Sequence, residues 1–190
     1  MMTHVMTMHA DAAALPDLVR RAKERDESAV EQLCLQFHDG IYRYILYKVS
    51  QKEDAEDLTS EVFGRMVRSL HEQRGDFKTW LYRIAANAVV DFYRRRAVER
   101  RRMRDLQERQ GFGAERMNTD SVIAREVLER ALARLTADQR EVVVLRFFEG
   151  FSTEETAQVI RKSVNAVKSL QFRALAELRG LLGSDGEMAV

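Results

Sequence analysis

The stretch STEETAQVIRKSVNAVKSLQFRALAELR, residues 152–179, holds two helical patterns separated by a turn. Ser152 and Glu155 stand three residues apart, the spacing of a capping box, and open a short helix that carries Ala157 and Ile160 on its inner side. A tight turn passes Arg161 to Ser163. Beyond it, at about 100° per residue, Val164, Val167, Ala174, Leu175 and Leu178 gather on one side of a second helix. Asn165, Lys168, Ser169 and Arg173 gather on the other, and Phe172 falls with this polar set. Two short helices joined by a turn of about three residues form a helix-turn-helix, whose second helix enters the DNA major groove. From Arg161 to Arg173 there are four cations and no acid. Lysine and arginine contact guanine edges or phosphates, serine donates or accepts, and an aromatic ring presses on a thymine methyl or a sugar. Such a groove would cover Phe172; the plain alternative is a solvated face with one stray ring, since single exposed apolar residues are normal.

Upstream of this motif, Thr136 and Gln139 form a second capping-box pattern, opening a helix through Val142, Val143, Leu145, Arg146 and Phe147 that Gly150 ends. Apolar periodicity begins before it, at Val122, Val127, Leu128, Ala131, Leu132 and Leu135. Residues 97–121 lose that periodicity, contain Gly111 and Gly113 and are dense in charge, which describes a flexible basic linker whose first part can continue as a charged helix.

A longer helical block precedes the linker. Pro16 suits the first turn of a helix running to about Arg25. After Asp26, Val30, Leu33, Phe37, Ile41, Tyr44, Ile45 and Val49 lie along one stripe. Ser50 and Glu53 read as a capping box for a third helix to about Leu70. His71 to Asp76 breaks the pattern at Gly75, and Phe77 to Arg96 forms a fourth helix with Phe77, Leu81, Ile84, Ala85, Ala88, Val89 and Phe92 on one face. The fold class is therefore all-α, two small helical domains at 16–96 and 122–183 joined by the linker, with residues 1–15 and 184–190 expected to be disordered.

Charge is uneven along a chain whose formal net charge is +1. Gln51 to Glu61 carries five carboxylates against one lysine, and Arg94 to Arg104 carries seven arginines against one glutamate. An acidic surface and two basic ones imply different partners. On the fourth helix Arg83, Asn87 and Arg94 share an edge away from the core stripe, with Asp91 beside them and Trp80 flanking. Those residue types read bases or hold a separated strand, since unstacked bases are bound by hydrogen bonds and aromatic platforms. Trp80 also has the apolar company of a core residue, beside Phe77, Leu81 and Ile84, and Tyr82 and Tyr93 stand at the core boundary. Asp54, Asp57 and Glu61 share a face of the third helix opposite Ala55, Val62, Met66 and Leu70, a pattern that by itself describes an ordinary solvated acidic face.

An enzyme finds little support. The four histidines are scattered, and there is no phosphate-cradling glycine loop or nucleophile elbow, so no cofactor or metal is expected. Cys34 is the single cysteine, which excludes an intramolecular disulfide and fits a reducing cytoplasm. No apolar run approaches the roughly 20 residues of a membrane span, so no membrane insertion is expected.

Four segments taken together, Asp54 to Phe63, Phe77 to Asn87, Leu135 to Arg146 and Val164 to Ser169, resemble bacterial sigma factors of the extracytoplasmic-function group, in order and spacing from about Asp26 to Leu182. The resemblance implies a non-catalytic specificity subunit that binds core RNA polymerase, directs it to promoter DNA and helps open the duplex, with the first block as region 2 and the last as region 4. It implies that the acidic helix with Asp54, Asp57 and Glu61 docks on a basic coiled coil of the polymerase's largest subunit, and region 4 on the flap. The loop from His71 to Asp76 and the helix with Trp80, Arg83, Asn87 and Arg94 would meet the minus-10 element, Asn87 matching the family's base-pocket asparagine. Asn165, Lys168, Ser169, Phe172 and Arg173 would face the minus-35 element. An anti-sigma partner follows by the same analogy. Glycine, threonine and arginine are common in the family where this chain has Asn165, Ala166 and Leu170, so its sequence preference is its own. The alternatives are a helix-turn-helix regulator that binds DNA alone and, more distantly, a helical scaffold using its acidic face.

Overall fold

The computed structural model describes residues 15–49, 51–107, 132 and 134–185, and among them every regular element is helical. The chain divides into two compact units, the first ending at Ala88 and the second beginning at Val89. The sequence expectations for residues 1–14, for Ser50, for most of the linker (108–121), for the apolar positions Val122, Val127, Leu128 and Ala131 and for 186–190 lie outside the described residues.

The first unit is built on α1 (Leu15–Lys23), α2 (Glu27–Val49), α3 (Lys52–Ser69), a single 3-10 turn (Leu70–Glu72) and the start of α4 (Phe77–Gln107). Pro16 sits in the first turn of α1, where its missing N–H costs nothing. Arg25 takes a left-handed φ of 68° to leave α1. Asp26 then caps α2, its Oδ1 accepting from the Ala29 N–H at 3.2 Å while Oδ2 accepts from Arg21 Nε and Nη2 at 2.8 and 2.6 Å. The Arg21 guanidinium first, and the Ala29 N–H after it, hold this carboxyl below its ordinary value. The predicted stripe on α2 is the core from Leu33 onward, with Val30 half-buried: Leu33, Ile41, Tyr44 and Ile45 are fully buried, with Ala55, Val62 and Met66 of α3 and Leu81 and Ala85 of α4 equally so. Two edge-to-face ring pairs tie α2 to α4, Phe37 on Phe77 at 5.3 Å and Tyr44 on Tyr82 at 5.5 Å, which places Tyr82 in the core and leaves Tyr93 exposed. Ile84 and Phe92, expected on the buried face, are half-buried, and Arg96 lies over the Phe92 ring.

Gln51 occupies the N-cap of α3 and makes no side-chain cap bond. α4 continues past Arg96 to Gln107, the charged continuation that the start of the linker allows, because arginine, glutamate, leucine, methionine and glutamine are good helix formers that need no apolar stripe when solvated.

The second unit contains α5 (Ala137–Val143), a π-helical turn (Val144–Phe148), α6 (Thr153–Ile160) and α7 (Val164–Asp185). Both predicted capping boxes form. Gln139 N–H donates to Thr136 Oγ1 at 3.3 Å and Thr136 N–H to Gln139 Oε1 at 2.8 Å; Glu155 N–H donates to Ser152 Oγ at 3.1 Å and Ser152 N–H to Glu155 Oε2 at 2.7 Å. Gly150 supplies the positive φ of 70° that turns the chain after the π-helical turn. Val142, Ala157 and Val167, one from each helix, meet in a small core against which Ile160, Val164 and Leu170 pack.

Candidate nucleic-acid interface

α7 follows a turn in which Arg161 adopts a left-handed φ of 54° and the Lys162 N–H reaches back to the Ala157 carbonyl at 3.1 Å. Ser163 then caps the helix, its Oγ accepting from the Ala166 N–H at 3.2 Å. The burial of Val167 and Ala174 fixes which way the helix faces, and Asn165, Lys168, Ser169, Phe172 and Arg173 all emerge on the exposed side. Phe172 is 76% exposed, the most exposed of the large hydrophobic side chains among the described residues. Leu175, expected with the core set, is instead exposed at 37%.

Two further contacts hold this helix and carry no signature in the sequence. Arg146 of the π-helical turn donates from Nε to Gln171 Oε1 at 3.1 Å and from Nη1 to the Phe151 carbonyl, so the residue preceding Phe172 is anchored to the loop before α6. Lys162, counted as part of an acid-free basic segment, pairs with Asp138 of α5 at 2.9 Å. The segment from 161 to 173 is therefore less cationic in space than in sequence: Lys168 and Arg173 stand on the exposed face, while Lys162 is tied to the helix-turn-helix body.

On α4, Arg83, Asn87 and Arg94 are exposed along one edge, and Arg94 lies 3.8 Å from Asp91 one turn earlier. Trp80 is half-buried with its ring tilted 42° against Phe77 at 5.7 Å, so it is neither a full core residue nor a free platform. The helix start is fixed by Asp76, whose Oδ1 accepts from the Thr79 N–H at 2.7 Å. On α3, Asp57 is exposed and Asp54 and Glu61 are half-exposed on the face opposite the buried Ala55, Val62 and Met66. Glu61 pairs with Arg65 at 2.5 Å, which offsets part of its charge. Among the described residues no group of three or more histidine, cysteine, aspartate or glutamate side chains is placed to hold a metal ion, and no helix is long and apolar enough to cross a membrane.

Residues 33–99 match the description Sigma-70 region 2, and residues 125–178 match Sigma-70, region 4. The sigma factor BldN of Streptomyces coelicolor, an ECF RNA polymerase sigma factor, is 40% identical over 186 residues, covering 93% of this chain and 69% of that protein. The chain belongs to the extracytoplasmic-function sigma factors. SigX of Bacillus subtilis, of the same group, is 35% identical over 153 residues, 75% of this chain and 78% of that one. Among solved structures, CnrH in complex with the cytosolic domain of CnrY superposes with a TM-score of 0.66 at 26% identity, covering 88% of this chain and 96% of that one. RpoE of Bartonella quintana, bound to the anti-sigma factor NepR, gives 0.64 at 26% identity, covering 82% and 97%. As a sigma factor the chain binds core RNA polymerase and directs the initiation of transcription at promoters. The four-helix unit is its region 2 and the helix-turn-helix its region 4. A regulator that binds DNA alone finds no support, because the match to region 2 accounts for the acidic helix and α4 as well.

Proposed function

We propose that α7 of this sigma factor reads the minus-35 element through Asn165, Lys168, Ser169, Phe172 and Arg173, while the α4 edge with Trp80, Arg83, Asn87 and Arg94 recognises and holds the opened minus-10 element. The observation that carries this reading is the ring of Phe172, 76% exposed beside Lys168, Ser169 and Arg173. Leaving a large ring in water forfeits favourable burial, and a duplex groove lined by thymine methyls and sugars returns it. Asp54, Asp57 and Glu61 dock on a basic surface of core polymerase, and region 4 meets the flap.

The protein works without catalysis of its own, needs no cofactor and acts in the cytoplasm beside the polymerase. Two of its solved relatives are bound to a protein partner, CnrH to the cytosolic domain of CnrY and RpoE to the anti-sigma factor NepR, which supports an anti-sigma partner here. The test is assembly and transcription: the chain forms a stable complex with core polymerase and yields promoter-dependent run-off transcripts, and failure of both removes the reading. Reversing charge at Asp57 and Glu61 lowers affinity for core with helical content intact. Unchanged affinity would make that face an ordinary solvated one.

A further inference from the structure

Lys23, in the last turn of α1, donates from Nζ to the main-chain carbonyl of Gln73 at 2.8 Å, a contact between residues fifty apart. Gln73 is the one buried residue, 2% exposed, in a loop whose other residues from His71 to Asp76 are all exposed. Its Nε2 donates to the Gly75 carbonyl at 2.7 Å and its N–H to the Leu70 carbonyl at 3.1 Å, while Gly75 takes a φ of +71°. The Arg74 guanidinium folds back onto the same Gln73 carbonyl at 3.1 Å and onto that of His71 at 3.2 Å. A carbonyl oxygen has two lone pairs, and here two cationic donors engage it, one from the loop itself and one from α1. α1 is a firm base for this, with Leu18, Val19 and Ala22 buried.

We propose that α1, which precedes the residues matched by either family description, positions the loop of residues 71–76 for strand capture, with Lys23 as the positioning residue. This rests on the reading that this loop and α4 take up the opened minus-10 strand. A loop fixed from beneath pays its ordering cost on folding rather than on binding, and so holds a flexible single strand more tightly. Lys23 bonds to backbone, so its effect is on how the loop presents its exposed groups, not on which bases those groups can bond.

Lys23→Met in the full-length holoenzyme tests this. The probe is the single-stranded non-template segment spanning the minus-10 element of a promoter that the wild-type holoenzyme transcribes, with a scrambled segment as control. The variant binds the minus-10 strand about three- to tenfold more weakly, the range expected for losing a partly exposed charge-assisted bond. It opens that promoter correspondingly slower, and binds core and minus-35 duplex as before. Lys23→Arg, which can still donate to the carbonyl, restores most of the loss. Amide hydrogen exchange rises at residues 71–76 in Lys23→Met and stays unchanged in α2 and α3, which separates a loosened loop from a damaged fold. An equal loss on the scrambled strand would make Lys23 a general phosphate contact, and no loss on either would leave the bond without a role; each overturns the proposal. If the wild-type holoenzyme fails to prefer the minus-10 strand over the scrambled one, the premise about region 2 falls, and the exchange data then still show whether Lys23 holds the loop.

Discussion

In region 2, α3 runs 18 residues from an N-cap, Gln51, that makes no side-chain cap bond, whereas in region 4 the seven-residue α5 and eight-residue α6 each begin with a complete capping box. The difference follows from helix length. α2, α3 and α4 share a core of large side chains, and with it α3 can start without a side-chain cap bond, while Asp26 and Asp76 cap α2 and α4. Helices of two turns are too short to persist on propagation alone, so in α5 and α6 satisfied end groups add to the burial of Val142, Val143, Ala157 and Val159.

Core truncation should have the largest effect and stay local. Leu33→Ala removes a side chain with no exposure and is expected to destabilise region 2 by about 2–5 kcal/mol. Trp80, the chain's one tryptophan, reports that transition in urea. Amide exchange at Val142 to Leu145 should not change; an equal loss there would mean that the two units unfold together and that the contrast between them is false. Next comes a loss of binding without a loss of stability: Arg173→Ala should weaken promoter affinity by about 1–3 kcal/mol and relax preference at one minus-35 position if the guanidinium pairs with a base. A uniform loss over all sequences would identify a phosphate contact. Smaller again, Ser152→Ala should cost region 4 about 1 kcal/mol, while Gln51→Ala should stay within about 0.5 kcal/mol; equal costs in thermal unfolding would undo the capping argument.

The smallest effect is one of pH. Asp26 is held below its ordinary value by Arg21 and the Ala29 N–H, so the stability it contributes is complete above the ordinary aspartate range and is lost as the pH falls through the lower folded value. Asp26→Asn should flatten that part of the acid limb followed by circular dichroism and leave the neutral limb unchanged in shape.

Local patterns were legible and contacts at a distance were not. The two capping boxes of region 4, the α2 stripe and the exposed set on α7 are written in residues three or four apart, and the structure forms them. Periodicity gives no end point where solvent surrounds a helix: loss of the apolar repeat after Arg96 marks the end of burial, and the charged continuation that the composition allows runs on to Gln107. It also overstates burial at Leu175, which is 37% exposed. The π-helical turn, the bond from Arg146 to Gln171, the pairing of Lys162 with Asp138 and that of Lys23 with Gln73 join residues between five and fifty positions apart or depend on backbone detail, and none has a periodic signature.

The turn before α7 rests on an arginine where the backbone suits glycine. Arg161 sits at φ 54° and ψ 45°, a conformation that costs a side-chain-bearing residue about 1–2 kcal/mol. Glycine there would relieve the strain and also delete an exposed positive charge from the turn before α7. On the proposed reading of α7, firmness of the fold and grip on a polyanion thus pull in opposite directions at a single residue, and a variant selected only for heat resistance would be expected to surrender the second to gain the first.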